Sequence, residues 1–204
     1  MNAQYVDRLS RTDRDVILTL VPEGVKVLDL GCGDCNLLSE LADKRNIRGT
    51  GVDIRGDQLV DGLARGFNVY QGDLDEGLAD FPDNAYDYVI LNQTLQVVKN
   101  PLLVFNEMLR IGREGIVTFP NFGHWRSRVQ LALGGRMPLS PALPNEWYNT
   151  PNIHLCTLKD FEILCARLGL QVLQRTVVDH AHRDEITFLP NLMGEIALYR
   201  IQRG

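Results

Sequence analysis

Val27-Leu28-Asp29-Leu30-Gly31-Cys32-Gly33-Asp34 decides the fold. Val25, Val27, Leu28 and Leu30 make a nearly continuous apolar run, as a strand buried on both faces requires. Gly31 and Gly33 let the backbone turn where a side chain would block a ligand. Leu37, Leu38 and Leu41 then recur at helical spacing. Strand, glycine turn and helix together open a nucleotide-binding α/β sheet, with the ligand at the carboxyl end of the strand.

Spacing narrows the nucleotide. The dinucleotide fingerprint calls for a glycine or alanine where this chain has Asn36. Asp29, two residues before Gly31, suits a ligand carrying an amino group and a sulfonium rather than a pyrophosphate. A second strand ends in Gly51-Val52-Asp53, and Asp53 stands 20 residues beyond Gly33, where an acid can accept both ribose hydroxyls. A third apolar stretch, Phe67–Tyr70, ends in Gln71-Gly72-Asp73, which suits an adenine edge. Three acidic strand ends in order resemble the class I S-adenosylmethionine-dependent methyltransferases along nearly the whole chain.

That resemblance implies a Rossmann-like α/β fold with a mostly parallel seven-stranded sheet, an antiparallel last strand and helices on both faces. It implies a site for S-adenosyl-L-methionine or S-adenosyl-L-homocysteine at Asp29, Gly31, Cys32, Gly33, Asp53, Ile54, Gly72, Asp73, Leu74 and Asn92. Each acid also has a plainer reading. Asp53 can cap the next helix, Asp73 can make a simple turn, and Asp29 can pair only with backbone N–H groups. A glycine is expected where Cys35 stands, and the cysteine side chain is expected either to crowd the ligand or to shift the helix start.

The 204 residues suit one domain, 1–204, with an insertion or lid at 121–152. A net charge of −5 argues against a nucleic-acid partner, and no apolar run reaches the length of a membrane span. The polar N-terminus does not read as a signal peptide. Four cysteines without framework spacing fit a reducing, cytoplasmic setting.

The pattern predicts strands at 25–30, 48–53, 67–71, 86–91, 113–119, 170–178 and 195–201. It predicts a leading helix over Tyr5–Leu20 and further helices over 36–45, 56–65, 101–111, 125–133 and 157–168. Asn100-Pro101 and Thr157 mark helix starts. The alternation breaks at Asn121–Asn152, a stretch rich in proline that also holds Phe122, Trp125, Trp147 and Tyr148. A loop of this length is functional or disordered, and its aromatics favour order.

His124 and His154 flank the insertion and stand equally as general bases or as structural histidines. Arg126, Arg128 and Arg136 form a solvated face or a site for an acidic partner. Cys32 and Cys35 make a Cys-x-x-Cys, but the glycine turn already accounts for the segment, and no second pair sits at zinc spacing, so no metal is expected. Asn92-Gln93-Thr94 lacks the Asn/Asp-Pro-Pro-aromatic motif of base amino-group methylation. Gln96 stands near the place where ubiquinone- and biotin-pathway methyltransferases often carry a histidine.

A closer resemblance rests on Phe119-Pro120-Asn121-Phe122-Gly123-His124-Trp125-Arg126, Leu133-Gly134-Gly135-Arg136-Met137-Pro138 and Thr150-Pro151-Asn152-Ile153-His154-Leu155-Cys156. With Gln71–Leu78 and Val89–Gln96, these resemble the methionine biosynthesis protein MetW family over about residues 20 to 200. The resemblance implies a methyltransferase-like fold and a link to homoserine O-acyltransferase, as an accessory or regulatory protein. The alternative is a methyltransferase of an unidentified small molecule.

Overall fold

In a computed structural model, residues 13–179 and 185–204 are described. The amino-terminal part of the expected Tyr5–Leu20 helix lies outside them, and residues 13–20 are helical (α1). The elements that follow are β1 (Lys26–Leu30), α2 (Asn36–Arg45), β2 (Arg48–Asp53), α3 (Gly56–Ala64) and β3 (Asn68–Gln71). Then come a short 3-10 helix (Leu74–Glu76), β4 (Tyr86–Asn92), α4 (Pro101–Ile111), β5 (Gly112–Pro120) and α5 (Trp125–Gly134). The chain closes with α6 (Leu158–Arg167), β6 (Leu170–Val178), α7 (Pro190–Met193) and β7 (Ile196–Arg203).

The strands form one seven-stranded sheet in the order β3-β2-β1-β4-β5-β7-β6. The first five pair in parallel, and β7 runs antiparallel to both β5 and β6. The expected Rossmann-like α/β architecture with an antiparallel last strand is thus present.

Central strands bury both faces, which is why they read as apolar runs. Leu28, Leu30, Val89, Leu91, Val117 and Phe119 enter one core cluster, built against α4 and α6 through Phe105, Met108 and Phe161. Their neighbours Val27, Ile90, Ile116 and Leu198 enter the other, against α1 and α2 through Ile17, Leu38 and Leu41. Side chains that alternate across a strand feed two cores from one sequence.

Local chemistry sets the helix ends. The Asn100 side chain accepts from Leu103 N–H at 3.2 Å, with Pro101 following at a position where no N–H is missed. Thr157 and Asp160 form a reciprocal capping box at the start of α6. The sheet order reverses at β1, which lies between β2 and β4. A crevice at the carboxyl ends of these strands is where such sheets take ligands.

Candidate ligand site

A cavity of ≈ 550 Å³ opens at this reversal. Gly31, Asp53, Ile54, Gly72, Asp73, Leu74 and Asn92 line it, so residues at the ends of β1, β2, β3 and β4 converge there. Asp29, Cys32 and Gly33 do not line it. A second cavity of ≈ 380 Å³ lies among Lys26, Arg48 and Tyr86, the residues that begin β1, β2 and β4, at the opposite end of the sheet.

The glycine turn is built for close approach. Gly31 has φ +80°, and a Cβ there would stand 2.5 Å from Thr94 Oγ1, on the cavity wall. The amides of Gly31 and Cys32 both donate to Val52 O, at 2.7 and 3.0 Å, tying the turn to β2. Asp53 completes the tie. Its Oδ2 accepts from Gly33 N–H at 2.8 Å and its Oδ1 from Arg55 N–H at 2.9 Å. Arg55 is the N-cap residue of α3 and no side chain caps the first turn, so Asp53 ties down the residue before the helix rather than capping it. A carboxylate offers about four lone-pair sites, so acceptor capacity remains for a ligand diol. Asp73 caps the 3-10 helix, its Oδ1 accepting from Asp75 N–H at 2.9 Å, while it lines the cavity.

Asp29 is 2% exposed, and its Oδ1 has no hydrogen-bond partner. Burial, helped by the nearby Asp53 charge and opposed by Arg14, pushes its pKa up to about 7. Asn92 Oδ1 accepts from Thr118 Oγ1 at 2.6 Å, which fixes the end of β4 against β5.

Cys35 corrects an expectation. It takes the glycine-like φ of 60° as the N-cap residue of α2, but its sulfur turns away from the cavity into the core. A Cβ on Gly62 would lie 2.5 Å from Cys35 Sγ, and one on Gly51 2.6 Å from Cys32 Sγ. The two thiols fill space left by two glycines, 3.6 Å apart and unbridged. The crowding expected of Cys35 falls on core residues, not on the ligand.

Neither histidine lines the cavity. His124 is 5% exposed at the start of α5, its ring 5.8 Å from that of Trp125. His154 is exposed, and its backbone N–H donates to Gln96 O at 3.1 Å. The titratable residues that do line the cavity are Asp53, Arg55, Asp73, Asp75 and Lys99. Among the described residues no cluster of three His, Cys, Asp or Glu side chains is arranged for a metal.

Two residues near the cavity, Gln93 and Asp13, were not read as site residues from sequence. Gln93 lines it with φ 53°, a left-handed conformation unusual for this residue type. Its Nε2 donates to Asp13 Oδ2 at 2.6 Å, and Gln96 Nε2 donates to Gln93 O at 2.8 Å. Asp13 shares a helical face with Ile17 and Leu20, a spacing that marks it as a buried acid.

Residues 121–152, the insertion expected from the sequence, are anchored at their start. Asn121 Nδ2 donates to Gly194 O at 2.8 Å, and its Oδ1 accepts from Gly123 N–H at 2.9 Å. Arg126 pairs with Glu195 at 3.7 Å and lies over the Trp125 ring at 5.5 Å. Arg128 Nε donates to Gly123 O at 2.6 Å. Beyond these anchors apolar side chains face outward. Trp125 is 40% exposed, Leu133 85%, and Trp147 and Tyr148 71% each. No helix among the described residues is long and apolar enough to cross a membrane.

Known proteins agree with this architecture. Residues 11–201 match the family model for methionine biosynthesis protein MetW, and the chain belongs to that family. It is 37% identical over 202 residues to the bifunctional methionine biosynthesis protein MetXA/MetW of Rhodopirellula baltica. That alignment covers 94% of this chain and 32% of the relative, so the chain spans about a third of that protein. An S-adenosylmethionine-dependent methyltransferase from Thermotoga maritima superposes with a TM-score of 0.69 at 16% identity, covering 98% of this chain and 92% of that one. Haemonchus contortus phosphoethanolamine N-methyltransferase 2, solved with S-adenosyl-L-methionine, also scores 0.69, at 15% identity, over 94% of this chain and 52% of that one. The chain thus has the fold of the class I methyltransferases.

Proposed function

We propose that this MetW-family chain binds S-adenosyl-L-methionine or S-adenosyl-L-homocysteine at the carboxyl end of its sheet, and acts with or regulates a homoserine O-acyltransferase of methionine synthesis. One observation carries the reading. The cavity gathers Asp53, Asp73 and Asn92 from three strand ends, while no histidine, tyrosine or cysteine lines it. Acceptors converging from successive strand ends suit the hydroxyls and amino groups of a nucleoside-bearing ligand.

The partner is supported by the relative in which MetXA and MetW share one polypeptide. Linking two modules raises their effective concentration, which is useful where they associate. S-adenosylmethionine is made from methionine, and homoserine acylation lies near the start of that route. A protein that holds the end product and touches the early enzyme can report supply to demand. The outward apolar side chains of the insertion suit the contact, since buried aromatic and arginine side chains dominate interface energetics.

The test is calorimetry with S-adenosylhomocysteine, followed by co-elution with a homoserine O-acyltransferase and assay of the acyltransferase. Micromolar binding and a ligand-sensitive complex are expected. Methyl transfer to a cell metabolite, with no complex under any condition, would make the chain an enzyme instead.

A further inference from the structure

The second cavity, of ≈ 380 Å³, lies at the amino ends of the strands, away from the site described above. Lys26 stands beside Arg48 in the β1–β2 register, and Thr50 beside Asn68 in the β2–β3 register. Side chains alternate across a strand, so these four and Tyr70 occupy one face of the sheet. All five line the cavity, and residues 80–86 supply another wall. The volume is in the range of pockets that take small ligands.

Like charges side by side on a sheet repel, and the protein does not offset this pair. Neither Lys26 nor Arg48 forms an ion pair among the described residues. Asp87 Oδ2 accepts the backbone N–H of Lys26 at 2.9 Å, but its Oδ1 pairs with Arg113 at 3.5 Å. Asp80 lines the cavity and pairs with neither cation. Thr50 is 6% exposed, yet its hydroxyl makes no hydrogen bond to a described residue. A buried polar group without a partner calls for one from outside. An anion between the two cations would turn their repulsion into charge-assisted hydrogen bonds and would give the hydroxyl an acceptor. The rings of Tyr70, Phe81 and Tyr86 add a second requirement, with centroids 5.3 and 6.2 Å apart along the wall. Phe81 is 9% exposed but Tyr70 53%, so Tyr70 keeps ring surface that a planar group can cover.

We propose that this cavity binds a small phosphate ester carrying a planar ring, a nucleotide in class. Lys26, Arg48 and the Thr50 hydroxyl hold the phosphate, and Tyr70 lies against the ring. Two cations and one acid, Asp80, leave the wall with a net charge of +1 on a chain of net charge −5. That local balance suits a small anion and not a polyanionic strand, which needs a broad basic face. The site stands at the other end of the sheet from the S-adenosyl cavity and does not depend on that reading.

The experiment is calorimetry with uridine 5′-monophosphate, uridine and inorganic phosphate, on wild type and on Arg48→Gln, Tyr70→Ala and Asp80→Asn. All three substitutions fall at exposed positions, so the variants keep the core. Wild type should bind the monophosphate at least about tenfold more tightly than uridine or phosphate, since each of those lacks one half of the contacts. Arg48→Gln should weaken it about tenfold. Tyr70→Ala should weaken it about fivefold, the low end of a stacking contact. Asp80→Asn should strengthen it, because a like charge leaves the wall. The proposal is overturned by a monophosphate that does not bind, that binds no tighter than phosphate, or that binds Arg48→Gln as well as wild type. Displacement by S-adenosylhomocysteine overturns it too, by placing the nucleotide in the other cavity. None of these outcomes counts against the S-adenosyl reading.

Discussion

The amide of Gly33 donates to Asp53 Oδ2 at 2.8 Å, so the end of β2 holds the glycine turn that follows β1. The same carboxylate receives Arg55 N–H at the start of α3. Asp53 is 5% exposed, and two backbone donors fix its orientation. These two backbone bonds hold the carboxylate at the cavity wall, which is compatible with the ligand role proposed for it.

Asp53→Ala should act on both roles. It strands two N–H groups that gave hydrogen bonds to the Asp53 side chain, at a cost of about 1–3 kcal/mol in stability. It also removes the proposed acceptor for the ribose hydroxyls, which should weaken S-adenosylhomocysteine at least about tenfold. Urea denaturation reads the first effect and calorimetry the second. Equal affinity in the two proteins would take Asp53 out of the site.

A second prediction concerns Cys35 and Gly62. A Cβ at Gly62 would lie 2.5 Å from Cys35 Sγ. Gly62→Ala gains up to roughly 1 kcal/mol in helix propensity but overpacks the core at about 1–3 kcal/mol. Cys35→Gly supplies room and suits the φ of 60° at that position. The double variant should therefore be more stable than the sum of the singles by at least about 0.5 kcal/mol, measured as a double-mutant cycle in urea. Because the sulfur faces the core, Cys35→Gly alone should leave ligand affinity unchanged. Additive effects would show that the thiol is not the obstacle.

Cys35 also marks where the sequence stops being informative. A departure from glycine is visible in the residues, but the direction of the sulfur depends on a left-handed backbone and on two distant glycines. By contrast, β1 and β4 were legible because their fully buried stretches, 27–30 and 88–91, are apolar apart from Asp29. The Leu74–Glu76 and Pro190–Met193 helices were not foreseen, being too short to show a period. The histidines were placed by their nearness to the insertion, which says nothing about which wall they join. Asp13 was legible in principle, since a carboxylate on the Ile17–Leu20 face of a helix has to be buried.

Stability should respond to pH through the two buried acids. Asp13 and Asp29 sit at about 7 in the folded chain against 3.8 when free. Between these values the folded state holds protons that the unfolded state has released, so stability falls as pH rises through the window and levels off above it. Glu107, held below its ordinary value by Arg110, acts only at lower pH. Urea midpoints from about pH 5 to about pH 8 should decline in wild type and decline less in Asp13→Asn. Parallel profiles would show that Asp13 is charged throughout.

The last prediction joins the cavity to the insertion. Pro151, near the end of the insertion, lines the cavity, and the amides of Ile153 and His154 donate to Gln96 O at 2.8 and 3.1 Å. Gln96 in turn bonds Gln93 on the cavity wall. Meanwhile α5 buries only Ser127 and leaves Trp125 and Leu133 outward. A ligand that reorders the wall therefore acts on the segment best suited to meet a partner. S-adenosylmethionine should change the affinity for a homoserine O-acyltransferase, and the acyltransferase should change the affinity for S-adenosylmethionine by the same factor. Trp125→Ala should weaken the complex about tenfold or more, as the loss of an aromatic anchor does, without altering ligand affinity in the free chain. Arg126→Glu, which turns the pair with Glu195 into a repulsion, should weaken the complex as well. Titrations of the two proteins with and without ligand measure both sides of the cycle. A coupling factor of one would mean that ligand and partner bind independently, and full binding by Trp125→Ala would move the interface elsewhere.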